Sequence, residues 1–155
     1  MAKEFFQYGG SMKSFMMMSL LISASISAMA AADLGKEALK YVPDGKVELM
    51  EKDEVKVKTT QGTMVEVEFD RNGGLQEASG DFAQKDNFVP GNGLLSLKDA
   101  VAAITKNGKT VDGEWSLDKD FLRDWEYEFE GIENGKKFEY VVNAKTGKLL
   151  ESKPD

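Results

Sequence analysis

The sequence contains no cysteine and no histidine. Without cysteine the chain can form no disulfide, no thiolate nucleophile and no thiolate metal site. Without histidine it lacks the commonest general base, the imidazole metal ligand and the side chain that titrates near neutral pH. Any hydrolysis would depend on carboxylates, lysine or tyrosine alone. We therefore expect a non-catalytic protein with no catalytic residues, no metal site and no cofactor.

Acidic residues outnumber basic residues. The chain has 20 lysines and arginines against 27 aspartates and glutamates, which gives a formal net charge of −7. Nucleic acids and anionic membranes both bind through clusters of lysine and arginine, so this balance argues against either as a partner. Hydrophobic residues make up 41% of the chain and charged residues 30%. This composition is typical of a folded globular protein.

An uncharged apolar segment occupies residues 15–27. A lysine precedes it, and Ala28 and Ala30 place small residues at the two positions that a signal peptidase reads. The segment is shorter than the ~20 residues needed to span a bilayer. We interpret residues 1–30 as a signal peptide, whose natural start is Met12 or the first methionine. We expect cleavage after Ala30, no membrane span thereafter, and a periplasmic or secreted location.

In the remaining chain a helical pattern is followed by strand patterns, and this order occurs twice. The first helix is predicted to begin with Asp33 as N-cap and to end before Pro43 and Gly45. The second is predicted to begin at Ser96, with Asp99 three residues later in a capping box, and to end at Asn107-Gly108. Their apolar stripes have helical spacing: Leu34, Ala38, Leu39 and Val42 in the first, and Leu97, Ala100, Val101 and Ile104 in the second.

After each helix the hydrophobic period changes to two. Apolar residues alternate with glutamates over residues 65–69 and again over residues 125–130, which predicts antiparallel strands with one buried face and one solvated face. Gln61-Gly62 and Asn134-Gly135 predict hairpin turns. The predicted fold is therefore α+β, with two tandem units that each pack one helix on a four-stranded antiparallel sheet. The units are expected at residues 31–80 and 96–155, with a linker at 81–95 that is rich in glycine and proline.

The second unit resembles a PepSY domain. The resemblance lies in the helix Leu97–Val101, the strand Trp125–Phe129 and the segment Phe138–Leu150, which ends in a strand, a Thr-Gly turn and a last apolar strand. Asn143 stands where that family usually has aspartate. The first unit resembles the family more loosely, through Asp70–Gly74. The resemblance implies an α+β fold and a binding or inhibitory role, often against peptidases, and it implies no catalytic residues.

Two features are candidate binding sites. Glu126, Glu128 and Glu130 alternate along one strand, so their carboxylates should share the solvated face about 7 Å apart. Trp115 lies between Glu114 and Ser116 and is expected to be an exposed aromatic anchor on a loop. Both could belong to an ordinary protein surface. The favoured function is recognition or inhibition of an envelope protein such as a peptidase; the alternative is a sensor of divalent cations or small ligands that uses the glutamates.

A third candidate, Asp70–Gly74, begins like a calcium-binding loop. The pattern lacks a third ligand, a glycine at the required position and a following helix. A hairpin turn is the favoured interpretation of this segment.

Overall fold

The computed structural model describes residues 31–119, 122 and 124–155. The predicted signal peptide and the choice between the two starting methionines lie outside the described residues. Two helices and eight strands follow one another in the order α1 (Ala31–Tyr41), β1 (Lys46–Glu51), β2 (Glu54–Lys58), β3 (Met64–Phe69), β4 (Leu75–Gly80), α2 (Leu97–Lys106), β5 (Val111–Lys119), β6 (Trp125–Glu133), β7 (Lys136–Asn143) and β8 (Leu149–Pro154).

All eight strands form one antiparallel sheet in sequence order. The predicted fold of two tandem units, each with its own four-stranded sheet, is therefore wrong. The two halves join where β4 pairs with β5, with Ala78 opposite Leu117 and Gly80 opposite Trp115. The physical reason is that two separate sheets would leave the β4 and β5 edges with unpaired backbone groups, whereas pairing satisfies them.

One face of this sheet carries the core. A row of apolar side chains crosses six strands in register: Val55, Val67, Ala78, Leu117, Tyr127 and Val142. Each of these side chains is at most 1% exposed. Both helices contribute to the same cluster, α1 through Leu34 and Ala38 and α2 through Ala100 and Ile104. We call this the helix face.

The aromatic residues of the core also run without a break from one half of the sheet to the other. Neighbouring ring centroids lie 5.1–6.3 Å apart along the series Phe69, Tyr41, Phe88, Trp115, Tyr127 and Phe129. Phe88 comes from the predicted linker and is 1% exposed. The segment between β4 and α2 is therefore part of the core, whereas its neighbours Phe82 and Val89 remain partly exposed.

The ends of the helices test the capping predictions. Ser96 caps α2 by accepting the Asp99 N–H at 3.1 Å, and its hydroxyl donates to the Asp99 carboxylate at 2.7 Å. Asn107 ends this helix. The N-cap at Ser96 is confirmed, with Asp99 as its partner three residues later. In α1 the prediction for Asp33 is wrong, because the helix begins at Ala31 and Asp33 lies in its first turn.

The predicted turns are confirmed. Asn134 and Gly135 both have positive φ, as a two-residue hairpin between right-twisted strands requires. Asp70 accepts the N–H groups of Asn72 and Gly74 with one carboxylate oxygen, at 2.7 and 3.0 Å. That carboxylate closes the β3–β4 turn, as the hairpin interpretation of this segment expects.

Candidate binding face

The second face of the sheet, which we call the open face, carries the glutamates that alternate with the core residues. Because the strands pair in register, carboxylates meet across neighbouring strands. Glu51 is opposite Glu54, Glu54 opposite Glu68, Glu68 opposite Glu77, Glu77 opposite Asp118, and Asp118 opposite Glu126. We call this series the carboxylate row. It crosses β1 to β6 and ends at Asn143 on β7.

A second series of cross-strand neighbours runs beside the carboxylate row on the open face, and serines occupy its middle. Glu66 on β3 is opposite Ser79 on β4, Ser79 is opposite Ser116 on β5, and Ser116 is opposite Glu128 on β6. Two short side chains thus lie between two long ones at the middle of the sheet. A cavity of about 230 Å³ opens at this place. We call it the serine notch.

Lysines neutralise only the flanks of the open face. Lys56 on β2 contacts Glu54 at 3.1 Å and Glu66 at 2.6 Å. Lys153 on β8 contacts Glu139 at 2.8 Å and Glu151 at 3.7 Å. In the part of the chain that the structure describes, no lysine or arginine forms an ion pair with Glu68, Glu77 or Glu128, and the negative charge therefore concentrates on the central strands.

The pKa values of the central carboxylates reflect this crowding. Burial raises the pKa of Glu77 to about 7, and repulsion from Glu68, Asp118, Glu128 and Glu66 adds to the rise. Burial also raises the pKa of Glu68 and Glu128, each with repulsion from carboxylates on neighbouring strands. A carboxylate that is half-buried among like charges holds its proton more tightly, and a bound cation would relieve the repulsion.

The predicted site residues have different surroundings. Glu128 and Glu130 line the serine notch. Glu126 lies on the carboxylate row and is only 8% exposed. The expectation that Trp115 is an exposed side chain on a loop is wrong. It lies in β5 on the helix face and is 2% exposed, because it packs against Phe88 and donates its indole N–H to Asp86 at 2.7 Å.

Sequence reasoning missed the centre of the open face. Glu77 is a single acidic residue in its stretch, Asp118 belongs to an acidic stretch over residues 112–120 that was interpreted as a solvated loop, and Ser79 and Ser116 carry no signal of their own. Only the pairing of β4 with β5 brings these four residues together. The alternation of Glu126, Glu128 and Glu130 did indicate the correct face of the sheet.

Within residues 31–119 and 124–155, no three carboxylates are grouped closely enough to hold a metal ion. None of the helices that the structure describes is long and apolar enough to cross a bilayer.

Comparison with known proteins gives a family for the C-terminal half. Residues 94–153 match the family model described as "PepSY: Peptidase propeptide and YPEB domain". No curated protein matches the chain. A DUF2874 family protein from Bacteroides uniformis is 17% identical, with a TM-score of 0.39 over 81% of this chain and 90% of its own. A protein provisionally assigned to the periplasm of Bacteroides eggerthii is 14% identical, with a TM-score of 0.37 over 82% and 88%. The resemblance predicted from the sequence is confirmed: residues 94–153 match the PepSY family model.

Proposed function

We propose that this protein is an exported, non-catalytic binding module that recognises an envelope protein, such as a peptidase, through the open face of its sheet. The N-terminal pattern of residues 15–30 supports export to the periplasm or beyond. The match to a family that includes peptidase propeptides supports a peptidase as the class of partner.

The carboxylate row is the observation that carries the proposal. Like charges directly opposite each other destabilise an antiparallel pair, so the step from Glu68 to Glu77, neither of which pairs with a lysine or arginine of the described chain, weakens the fold. Both helices pack on the helix face, so neither covers the open face. A basic segment of a partner would offset the repulsion, and complementary charge would also speed its approach.

In this proposal Glu128 and Glu130 contact the partner and Glu126 contributes its charge from a more buried position. Trp115 takes a supporting part: it holds β5 against the core through Phe88 and Asp86. Edge pairing is a second route by which sheets capture extended segments. We favour the face over the edges because the last strand, β8, ends in Lys153 and Pro154, residues that discourage pairing at an edge.

Affinity capture tests the proposal. The chain from Ala31 to Asp155 serves as bait in envelope extract, beside a variant with Glu126→Gln, Glu128→Gln and Glu130→Gln. A control with the same change in net charge carries Asp33→Asn, Asp44→Asn and Asp155→Asn, none of which lies on a strand. We expect one basic envelope protein to be retained by the wild type and the control but not by the glutamine variant. Retention of the same protein by all three would contradict the proposal.

A chelator distinguishes the alternative function. If the glutamates bind calcium or magnesium, the melting temperature should rise with the cation and fall when it is chelated. Retention of a folded protein in the presence of chelator supports protein recognition. If a retained peptidase loses activity when the bait is added, the role is inhibitory.

A further inference from the structure

The serine notch is shaped for one side chain. Neighbouring strands lie about 4.8 Å apart, so Glu66 and Glu128, three strands from each other, have backbones about 14 Å apart. Between them Ser79 and Ser116 add only short side chains. Glu128 lies at one end of this floor, and Glu66, whose carboxylate pairs with Lys56 on β2, lies at the other. The space above the serines is the cavity of about 230 Å³.

The charge of the notch is negative on balance. Its lining includes six acidic residues: Glu66, Asp81, Glu114, Glu128, Glu130 and Glu139. The other lining residues are uncharged, among them Met64 and the two serines. Lys56 on β2 pairs with Glu66, and Lys153 on β8 pairs with Glu139. In the described part of the chain the other four acidic lining residues form no ion pair, and they leave the notch with an excess of negative charge. A concave surface with an excess of one sign of charge focuses its field on whatever enters it.

We propose that the serine notch receives an arginine side chain from an extended segment of the partner. This inference rests on the proposed function and names the group that anchors the partner. A guanidinium presents five donors in a flat fork, so it can bond carboxylates on two sides and serine hydroxyls below. Its aliphatic stem would lie along Met64, which gives the contact an apolar component.

Other cations fit the notch less well. Calcium takes six to eight oxygens at 2.3–2.6 Å, and the described carboxylates are not gathered in this way. A lysine ammonium is a compact point charge and cannot contact opposite walls of a wide cavity at once. Arginine matches both the separation of the walls and their charge.

The test uses the two methionines of the chain from Ala31 onward as reporters. Met64 lines the serine notch, whereas Met50 lies on the helix side beside Gly35. The chain Ala31–Asp155, labelled with carbon-13 at the methionine methyl groups, is titrated with L-arginine amide in the presence of chelator. We expect a saturable shift of the Met64 signal, no shift of the Met50 signal, and weaker binding of L-lysine amide.

Two variants complete the test. Ser116→Leu fills the notch, and Ser152→Leu makes the same change at an exposed position on β8. We expect Ser116→Leu to weaken arginine amide at least about tenfold and Ser152→Leu to leave it unchanged. Equal binding by both variants would overturn the proposal, as would an equal response of Met50 and Met64.

The outcomes separate this inference from the function on which it rests. If the envelope partner binds the wild type and Ser116→Leu equally, but not the variant with three glutamines, the arginine site is wrong and the open face stands. If Ser116→Leu abolishes binding of both arginine amide and the partner while Ser152→Leu binds both, the anchor is established. A Met64 shift that calcium reproduces and chelator removes would overturn the arginine assignment.

Discussion

The indole of Trp115 donates its N–H to a carboxylate oxygen of Asp86 at 2.7 Å, and both residues are buried. The other oxygen of Asp86 accepts a hydrogen bond from the hydroxyl of Thr63. Thr63 precedes β3, Trp115 lies in β5, and Asp86 belongs to the segment between β4 and α2. One carboxylate therefore joins the connection to both halves of the sheet.

Removing this carboxylate should destabilise the whole chain. Asp86→Ala leaves the Trp115 N–H and the Thr63 hydroxyl buried without their acceptor, so we expect a loss of roughly 2–4 kcal/mol in the free energy of unfolding. Urea denaturation followed by tryptophan fluorescence measures it. Asp81→Ala, an exposed aspartate in the same segment, is the control and should change stability little. Equal effects of the two substitutions would show that the buried hydrogen bonds are unimportant.

Gly131 should tolerate no side chain. A Cβ on this β6 residue would overlap the carbonyl oxygen of Thr110 and the ring of Tyr140. Because the first is backbone and the second is a fully buried ring, Gly131→Ala should cost roughly 2 kcal/mol or more through overpacking. Gly35→Ala in α1 is the matched control, since its Cβ would contact mainly the flexible end of Met50 and alanine favours helix. Thermal unfolding of both variants measures the two effects. A Gly131→Ala variant as stable as the wild type would contradict the packing described.

Glu77 should make stability depend on pH. Its pKa rises from 4.5 to about 7 in the folded chain, where Glu68, Asp118, Glu128 and Glu66 surround it and burial contributes most. The folded state thus binds the proton more tightly than the unfolded state. The resulting stability is present below about pH 4.5 and is lost as pH rises through 7.

Glu77→Gln should accordingly raise stability at pH 8, by roughly 1 kcal/mol after allowance for solvent screening at this half-buried site. It should also reduce the slope of melting temperature against pH between 4.5 and 7. Asp44→Asn, in the loop after α1, is the control and should leave the slope unchanged. A slope identical in wild type and Glu77→Gln would show that Glu77 does not titrate differently in the folded state.

The segment that matches the PepSY family should not fold alone. Residues 94–155 would expose the β5 edge along Trp115–Asp118, which pairs with β4 in the whole chain. They would also lose Phe88 and Asp86, which pack and bond against Trp115. We expect no cooperative thermal transition in this fragment, in contrast to the chain from Ala31. A transition of similar midpoint in both would show that the second half is independent.

Local features of the fold were accessible from the sequence. The N-cap at Ser96 and the turns at Asn134-Gly135 and Asp70–Gly74 depend on residues close together in the chain, and all three are confirmed. The pairing of β4 with β5 was not accessible, because 30 residues lie between Gly80 and Val111 and nothing local specifies their register. That single pairing decides between two sheets and one.

The candidate site shows the same difference between features set by neighbouring residues and features set by strand pairing. The alternation of Glu126, Glu128 and Glu130 within one strand indicates the open face. The carboxylate row and the serine notch run across strands, so no window of sequence contains them. Trp115 was misjudged because its glutamate and serine neighbours indicate an exposed loop, whereas residues 111–119 form a strand on which Trp115 lies on the helix face.

The most direct test of recognition through the open face is to observe both faces while the partner binds. The chain Ala31–Asp155, labelled at the methyl groups of Met50 and Met64, is mixed with the basic envelope protein that it retains, and the two signals are followed by NMR. We predict that the Met64 signal shifts or broadens on binding and that the Met50 signal does not. A change confined to Met50 would place the partner on the helix side and contradict the account.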